Sequence, residues 1–84
     1  MLSRLRLAGV RLDQQRYDEA LTLLDEKVTQ AFVGPYSDMR GDVLAAQGKV
    51  AEAKAAYQKA LDSSDEKAAW RDVVQIKLDA LSNQ

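Results

Sequence analysis

The chain contains no cysteine and no histidine, and only one proline and four glycines among its 84 residues. Without cysteine, disulfides and thiolate metal sites are excluded, while either redox compartment stays open. Without histidine, the commonest general base, the commonest metal ligand and the usual pH switch are all missing. An excess of one charge sign is lacking too. Twelve lysines and arginines against thirteen acids leave a net charge of −1, which argues against nucleic acid as a partner, since such proteins normally carry a marked basic excess. No run is long and apolar enough to span a bilayer and no signal-peptide pattern opens the chain, so direct membrane insertion by this stretch is not expected. No nucleophile–base pair, phosphate-cradling glycine loop or metal-ligand set can be assembled, which leaves no catalytic residue, cofactor or metal to nominate. Only a desolvated Lys27, Lys54 or Lys77 inside a cleft would reopen an enzymatic reading. The length suits one small domain that buries about 60–65% of its unfolded surface and is marginally stable.

What is present is helical periodicity. From Met39 to Leu61 the chain reads as two short helices folded against each other. Met39, Val43, Leu44 and Gln47 recur at three- and four-residue steps, and Val50, Ala53, Tyr57, Ala60 and Leu61 do the same. Gly48 at the junction can take the left-handed conformation that ends a helix. The small residues Gly41, Ala45, Ala46, Ala53 and Ala60 allow close helix approach, with Tyr57 filling the gap between them. An earlier stretch, Arg6 to Asp25, repeats the plan. Ala8 matches Gly41, Gln15 matches Gly48, Ala20 matches Ala53 and Leu24 matches Tyr57, each pair 33 residues apart (41 − 8, 48 − 15, 53 − 20, 57 − 24). A helical pair recurring at that period is the signature of a solenoid array.

Read in order, the first helix runs from Leu2 to about Gln14. Its apolar residues cover more than one face, so Leu2, Leu5 and Leu12 form a patch that a preceding repeat or a second copy of the chain would cover. The second helix carries Asp18 and Glu19 in its first turn and buries Tyr17, Ala20, Leu21, Leu24, Val28 and Phe32, ending before Val33-Gly34-Pro35. Pro35 then opens a third helix that reaches Gln47, and a fourth runs from Val50 or Ala51 to about Ser63. Ser63 and Glu66 have capping-box spacing, so a fifth helix is expected from about Ser64 to Leu81. Its stripe of Trp70, Val73, Val74, Lys77, Leu78 and Leu81 covers one side only, as suits a terminal cap.

Several clusters invite sharper readings. Asp38 and Asp42 share a helix face and could hold a cation, yet two carboxylates give too few oxygen ligands for calcium or magnesium, and a solvated or partner-facing acidic face is the simpler reading. Arg4, Arg6, Arg11 and Arg16 make the start of the chain locally basic and could meet a phosphate or lipid headgroup, but without interleaved aromatics or a basic majority a solvated face or ion pairs with acids on the neighbouring helix is the simpler reading. Trp70 fits the core, while Tyr36 is balanced between core and partner anchor.

Gly41, Gly48, Ala53, Tyr57 and Ala60, together with Tyr17 and Ala20, resemble the small and aromatic series of the tetratricopeptide repeat. The sequence departs from that pattern at Arg11, Ser37, Arg40 and Asp65. The resemblance implies an all-α fold of helical-hairpin repeats, a right-handed α-solenoid, with one repeat at about 2–32, another at about 35–63 and a capping helix at about 64–81. It also implies a non-enzymatic protein-binding groove lined by Leu5, Gly9, Leu12, Asp13, Asp38, Asp42, Ala45 and Ala46. On that basis Asp42→Lys is expected to weaken partner binding and leave the fold intact. Almost the whole chain is further similar to the carboxyl-terminal part of YfgM-type ancillary subunits of the bacterial Sec translocon. This implies an excised piece, soluble by itself, of an inner-membrane protein whose repeats face the periplasm and meet translocon subunits, chaperones and exported chains. The competing expectation is a structural self-association domain, a homodimer through the first helix.

Overall fold

The computed structural model describes residues 2–25, 27–63 and 68–83. Among the described residues five α-helices follow one another: α1 (Leu2–Asp13), α2 (Tyr17–Leu24), α3 (Gln30–Ala46), α4 (Val50–Asp62) and α5 (Arg71–Ser82). There is no strand among the described residues, as the periodicity requires.

The 33-residue period holds at the level of single hydrogen bonds. Gln15 (φ 61°) and Gly48 (φ 78°) both adopt the left-handed conformation. The Arg16 amide donates to the Arg11 carbonyl at 2.8 Å, as the Lys49 amide does to the Leu44 carbonyl at 2.9 Å. One residue earlier, the Gln15 amide donates to Leu12 at 2.9 Å and the Gly48 amide to Ala45 at 3.0 Å. These crossed bonds satisfy the carbonyls that a helix end leaves open. Arg16 (φ −94°, ψ 70°) and Lys49 (φ −87°, ψ 71°) then lead into α2 and α4 in one shared conformation. Glycine reaches the left-handed region without steric cost, whereas glutamine meets a penalty of roughly 1–2 kcal/mol.

Small residues set the helix spacing. Ala8, Ala20, Ala53 and Ala60 are fully covered. Gly41 lies under the Tyr57 ring, where an added Cβ would stand 2.4 Å from a ring carbon. Two apolar clusters result. Ala8, Ala20, Leu24, Tyr36 and Val43 form the first, and Leu44, Ala53, Tyr57, Ala60, Leu61, Val74 and Leu81 belong to the second, with Leu21 packed against both. Adjacent residues of α3, Val43 and Leu44, therefore face different clusters, and α3 is the wall the two share. The slab measures 31 × 28 × 17 Å.

Three boundaries differ from expectation. α2 stops at Leu24, not near Phe32, and Phe32 lies in α3 with its ring edge-on to Tyr36 at 6.3 Å. Gly34-Pro35 does not break the chain, because Pro35 is the sixth residue of α3 and removes only the bond to the carbonyl of exposed Ala31. Gly34, lacking a Cβ to clash with the proline ring, relieves the usual restriction before proline. Its second role is packing, since a Cβ there would fall 2.6 Å from the Trp70 ring. The expected start of the last helix at Ser64, with its Ser63–Glu66 cap, lies outside the described residues; Ala69 and Trp70 form a turn and α5 begins at Arg71. Val73, placed in the buried stripe by its spacing, is exposed, as is Ile76. At 100° per residue the packed arc of α5 centres on Trp70, Val74, Leu78 and Leu81, and Val73 falls just beyond its edge.

Candidate protein-docking face

The residues nominated for a docking face fall on α1 and α3 in equivalent rows: Leu5, Gly9, Leu12 and Asp13 stand 33 positions before Asp38, Asp42, Ala45 and Ala46. Their environments differ. Leu5 and Leu12 are half-buried against the first cluster, and Ala45 is half-buried against the second. Gly9 faces Met39, whose terminal methyl would stand 3.5 Å from an added Cβ. Asp13 and Ala46 are exposed.

Asp38 and Asp42 are held from within. α5 brings the Lys77 ammonium to 3.1 Å from Asp38 Oδ1 and 3.1 Å from Asp42 Oδ1, with Asp42 Oδ2 at 3.2 Å. From α4 the Tyr57 hydroxyl donates to Asp42 Oδ1 at 2.6 Å, and the ammonium lies 5.8 Å from the centre of the Tyr57 ring, within cation–π range. The Arg71 guanidinium adds a 2.6 Å bond to the Leu61 carbonyl, fastening the start of α5 to the end of α4. Four side chains from three helices thus meet at one point. The expectation that Asp42→Lys would leave the fold intact is corrected accordingly: a lysine there would lose the Tyr57 bond and set a second ammonium against Lys77.

The electrostatics follow from partial burial. Burial lifts the Asp38 carboxyl above its ordinary value; Lys77 opposes this, and the charge on Asp42 adds to it. Burial pulls Lys77 down, but the bonds and charges of the two carboxylates outweigh it and hold the ammonium above its usual range. The Tyr57 phenol is pushed up, first by burial and then by its bond to Asp42. A lysine held so firmly protonated is a poor base and a poor nucleophile. It also occupies the space between the carboxylates, and no group of three or more acids that could hold a metal ion occurs among the described residues.

The other candidates sort by burial. Tyr36 is in the core and Trp70 covers Gly34, so neither is presented as an anchor. Arg11 and Arg16 pair with Glu19 at 3.8 and 3.3 Å. The apolar side chains that α1 exposes are Leu2, Leu7 and Val10, whereas Leu5 and Leu12 turn inward. No helix among the described residues is long and apolar enough to cross a membrane. Sequence reasoning found the two acids and missed Lys77 as their partner, since no spacing rule links residues 35 and 39 apart. Only the placement of Lys77 in the last helix's inward stripe pointed toward it.

A family model described as "Tetratricopeptide repeat-like domain" matches residues 1–83. The "Ancillary SecYEG translocon subunit" of Neisseria gonorrhoeae (strain ATCC 700825 / FA 1090) is 41% identical over 76 residues, which is 90% of this chain and 36% of that relative. The chain thus spans about a third of the relative's length. No solved structure matches it.

Proposed function

Because the chain belongs to the tetratricopeptide repeat-like family, we propose that it performs no catalysis and serves as a docking module for other proteins. The observation that carries this reading is the repetition of one hairpin at 33 residues, turn for turn, which sets equivalent rows of α1 and α3 side by side. The docking face is the groove lined by Leu5, Gly9, Leu12, Asp13, Asp38, Asp42, Ala45 and Ala46. There Asp13 and Ala46 are open to a partner and the Asp38–Asp42–Lys77 cluster sets the local charge.

We infer that its setting is the periplasmic side of a bacterial inner membrane, a reading supported by its 41% identity to an ancillary subunit of the translocon. It is part of a longer protein that meets the Sec translocon, periplasmic chaperones and newly exported chains. A photo-crosslinking residue at Ala46 in the full-length protein tests this. Adducts with translocon or chaperone subunits are expected from Ala46 and not from exposed Gln58 on α4; equal labelling from both positions, or none, would sink it.

A second reading is favoured by one feature. Leu2, Leu7 and Val10 are exposed along α1, beside a hollow of about 340 Å³ bounded by Leu7, Arg11, Thr22 and Leu23. Self-association through the first helix would cover this patch. Light scattering that shows a monomer at high concentration would exclude it.

A further inference from the structure

A second hollow, of about 340 Å³, opens where the end of α2, the connection that follows it, α3 and α4 converge. Its walls are of two kinds. Half-buried Val28 and Val33 give it apolar surface over the core residue Leu24, and Lys27, Arg40 and Lys59 bring three cations to it against the carboxylate of Asp25, the one acid among the described residues that line it. Arg40 is bound to Asp25 through one of its nitrogens and is two-thirds covered, and a guanidinium has five N–H donors in all. Lys27 and Lys59 are exposed. In a chain of net charge −1, the described side chains of this hollow sum to +2 (three cations and one anion). On α3, Val33 and Arg40 stand roughly 200° around the helix from Asp38. The basic hollow and the acidic cluster therefore lie on opposite sides of one helix.

We propose that this hollow seats an acidic segment of a partner protein, an aspartate or glutamate next to an apolar side chain, on a surface separate from the α1–α3 face. Charge complementarity selects the acid. The apolar walls select its neighbour, since a bare anion would leave the exposed parts of Val28 and Val33 uncovered. The concave shape and small volume fit a side-chain pair better than a lipid surface, which calls for a broad basic face. Arg40, steered by Asp25, supplies the directional donors, and Lys27 and Lys59 supply mobile charge at the rim.

The test is fluorescence anisotropy with a labelled nine-residue peptide that alternates leucine with aspartate and glutamate. Saturable binding is expected, weakened at least tenfold in a Lys27→Glu, Lys59→Glu double variant and unchanged in Lys49→Glu, which alters net charge on an exposed turn away from the hollow. Circular dichroism fixes whether each variant is folded, and the two single variants, each expected to weaken binding at least threefold, stand in if the double variant is not. The proposal is overturned by absence of saturable binding or by equal binding to the double variant. It is equally overturned by equal binding of a peptide with lysine in place of the acids, or by complete displacement with an equimolar amount of inorganic phosphate, the mark of an adventitious ion only. Binding of phosphatidylglycerol vesicles that depends on Lys27 and Lys59, with no binding of the peptide, would assign the hollow to a lipid surface instead.

Discussion

The Lys77 ammonium lies 3.1 Å from the Asp38 carboxylate, across a sequence gap of 39 residues, and this contact ties the last helix to the middle one. Both groups are between a quarter and a third exposed, so solvent screens the pair and its worth is below that of a buried bridge. Lys77→Met should cost about 1–2 kcal/mol, because Asp38 and Asp42 are left half-buried with their shared cation gone. In a domain of this size that is a fall of about 4–16 °C in Tm. Thermal denaturation in 1 M sodium chloride should narrow the gap between the two proteins; a gap that does not change with salt would contradict an electrostatic origin.

Alkaline pH should loosen the same junction. Tyr57 and Lys77 both have folded values above their ordinary ones, 10.0 and 10.5. A group raised on folding contributes stability that is complete below its unfolded value and is lost as pH rises through its folded value. Stability should therefore hold to about pH 10 and fall above it. Chemical denaturation at steps from pH 8.5 to 11.5 checks this, and Tyr57→Phe should show a shallower decline. Asp38 has the same sign at the acid end, since its folded value lies above 3.8. Its protonation relieves a burial cost, so it does not drive acid unfolding.

The three helical glycines should respond differently to a methyl group. At Gly41 the new Cβ would meet the Tyr57 ring at 2.4 Å, and that ring is held by its bond to Asp42. At Gly34 it would meet the Trp70 ring at 2.6 Å. Each substitution by alanine should destabilise by about 1–3 kcal/mol through overpacking. Gly9→Ala meets only the flexible end of Met39 at 3.5 Å, and should gain up to about 1 kcal/mol from helix propensity. Urea midpoints rank the three, and loss of stability in Gly9→Ala would contradict the packing described.

The two equivalent turns offer a paired test. Gln15→Gly should stabilise by about 0.5–1 kcal/mol, because it removes the left-handed penalty at an exposed site. Gly48→Ala should cost about 1 kcal/mol for the converse reason, although nothing lies within 4 Å of the added Cβ. Equal and negligible effects on the urea midpoint would count against it.

Ala53 is completely covered. Ala53→Glu forces a charge between packed helices and should abolish cooperative thermal unfolding altogether.

The repeat was legible because it is made of local signals: small residues at helix contacts, a glycine at one turn, apolar steps of three and four. Its counterpart turn at Gln15 was readable only through the offset, since glutamine alone does not announce a left-handed residue. The break between α2 and α3 falls earlier than the sequence suggests, for a physical reason. Gly34-Pro35 looks like punctuation, but the glycine is there for the Trp70 ring and the proline sits early enough in α3 to forfeit one hydrogen bond. The acids at Asp38 and Asp42 were found by spacing, while their engagement by Tyr57 and Lys77 depends on how α4 and α5 lie across α3, which no local pattern encodes. The basic hollow has no local signature, because Lys27, Arg40 and Lys59 come from three separate segments.

Val43 and Leu44 point into different apolar clusters from neighbouring positions on one rod. Neither hairpin can melt alone without stripping α3 of half its cover, so heating should dismantle both in a single step. Amide protons near the middle of α3 should then exchange with solvent more slowly than any at the two ends of the molecule.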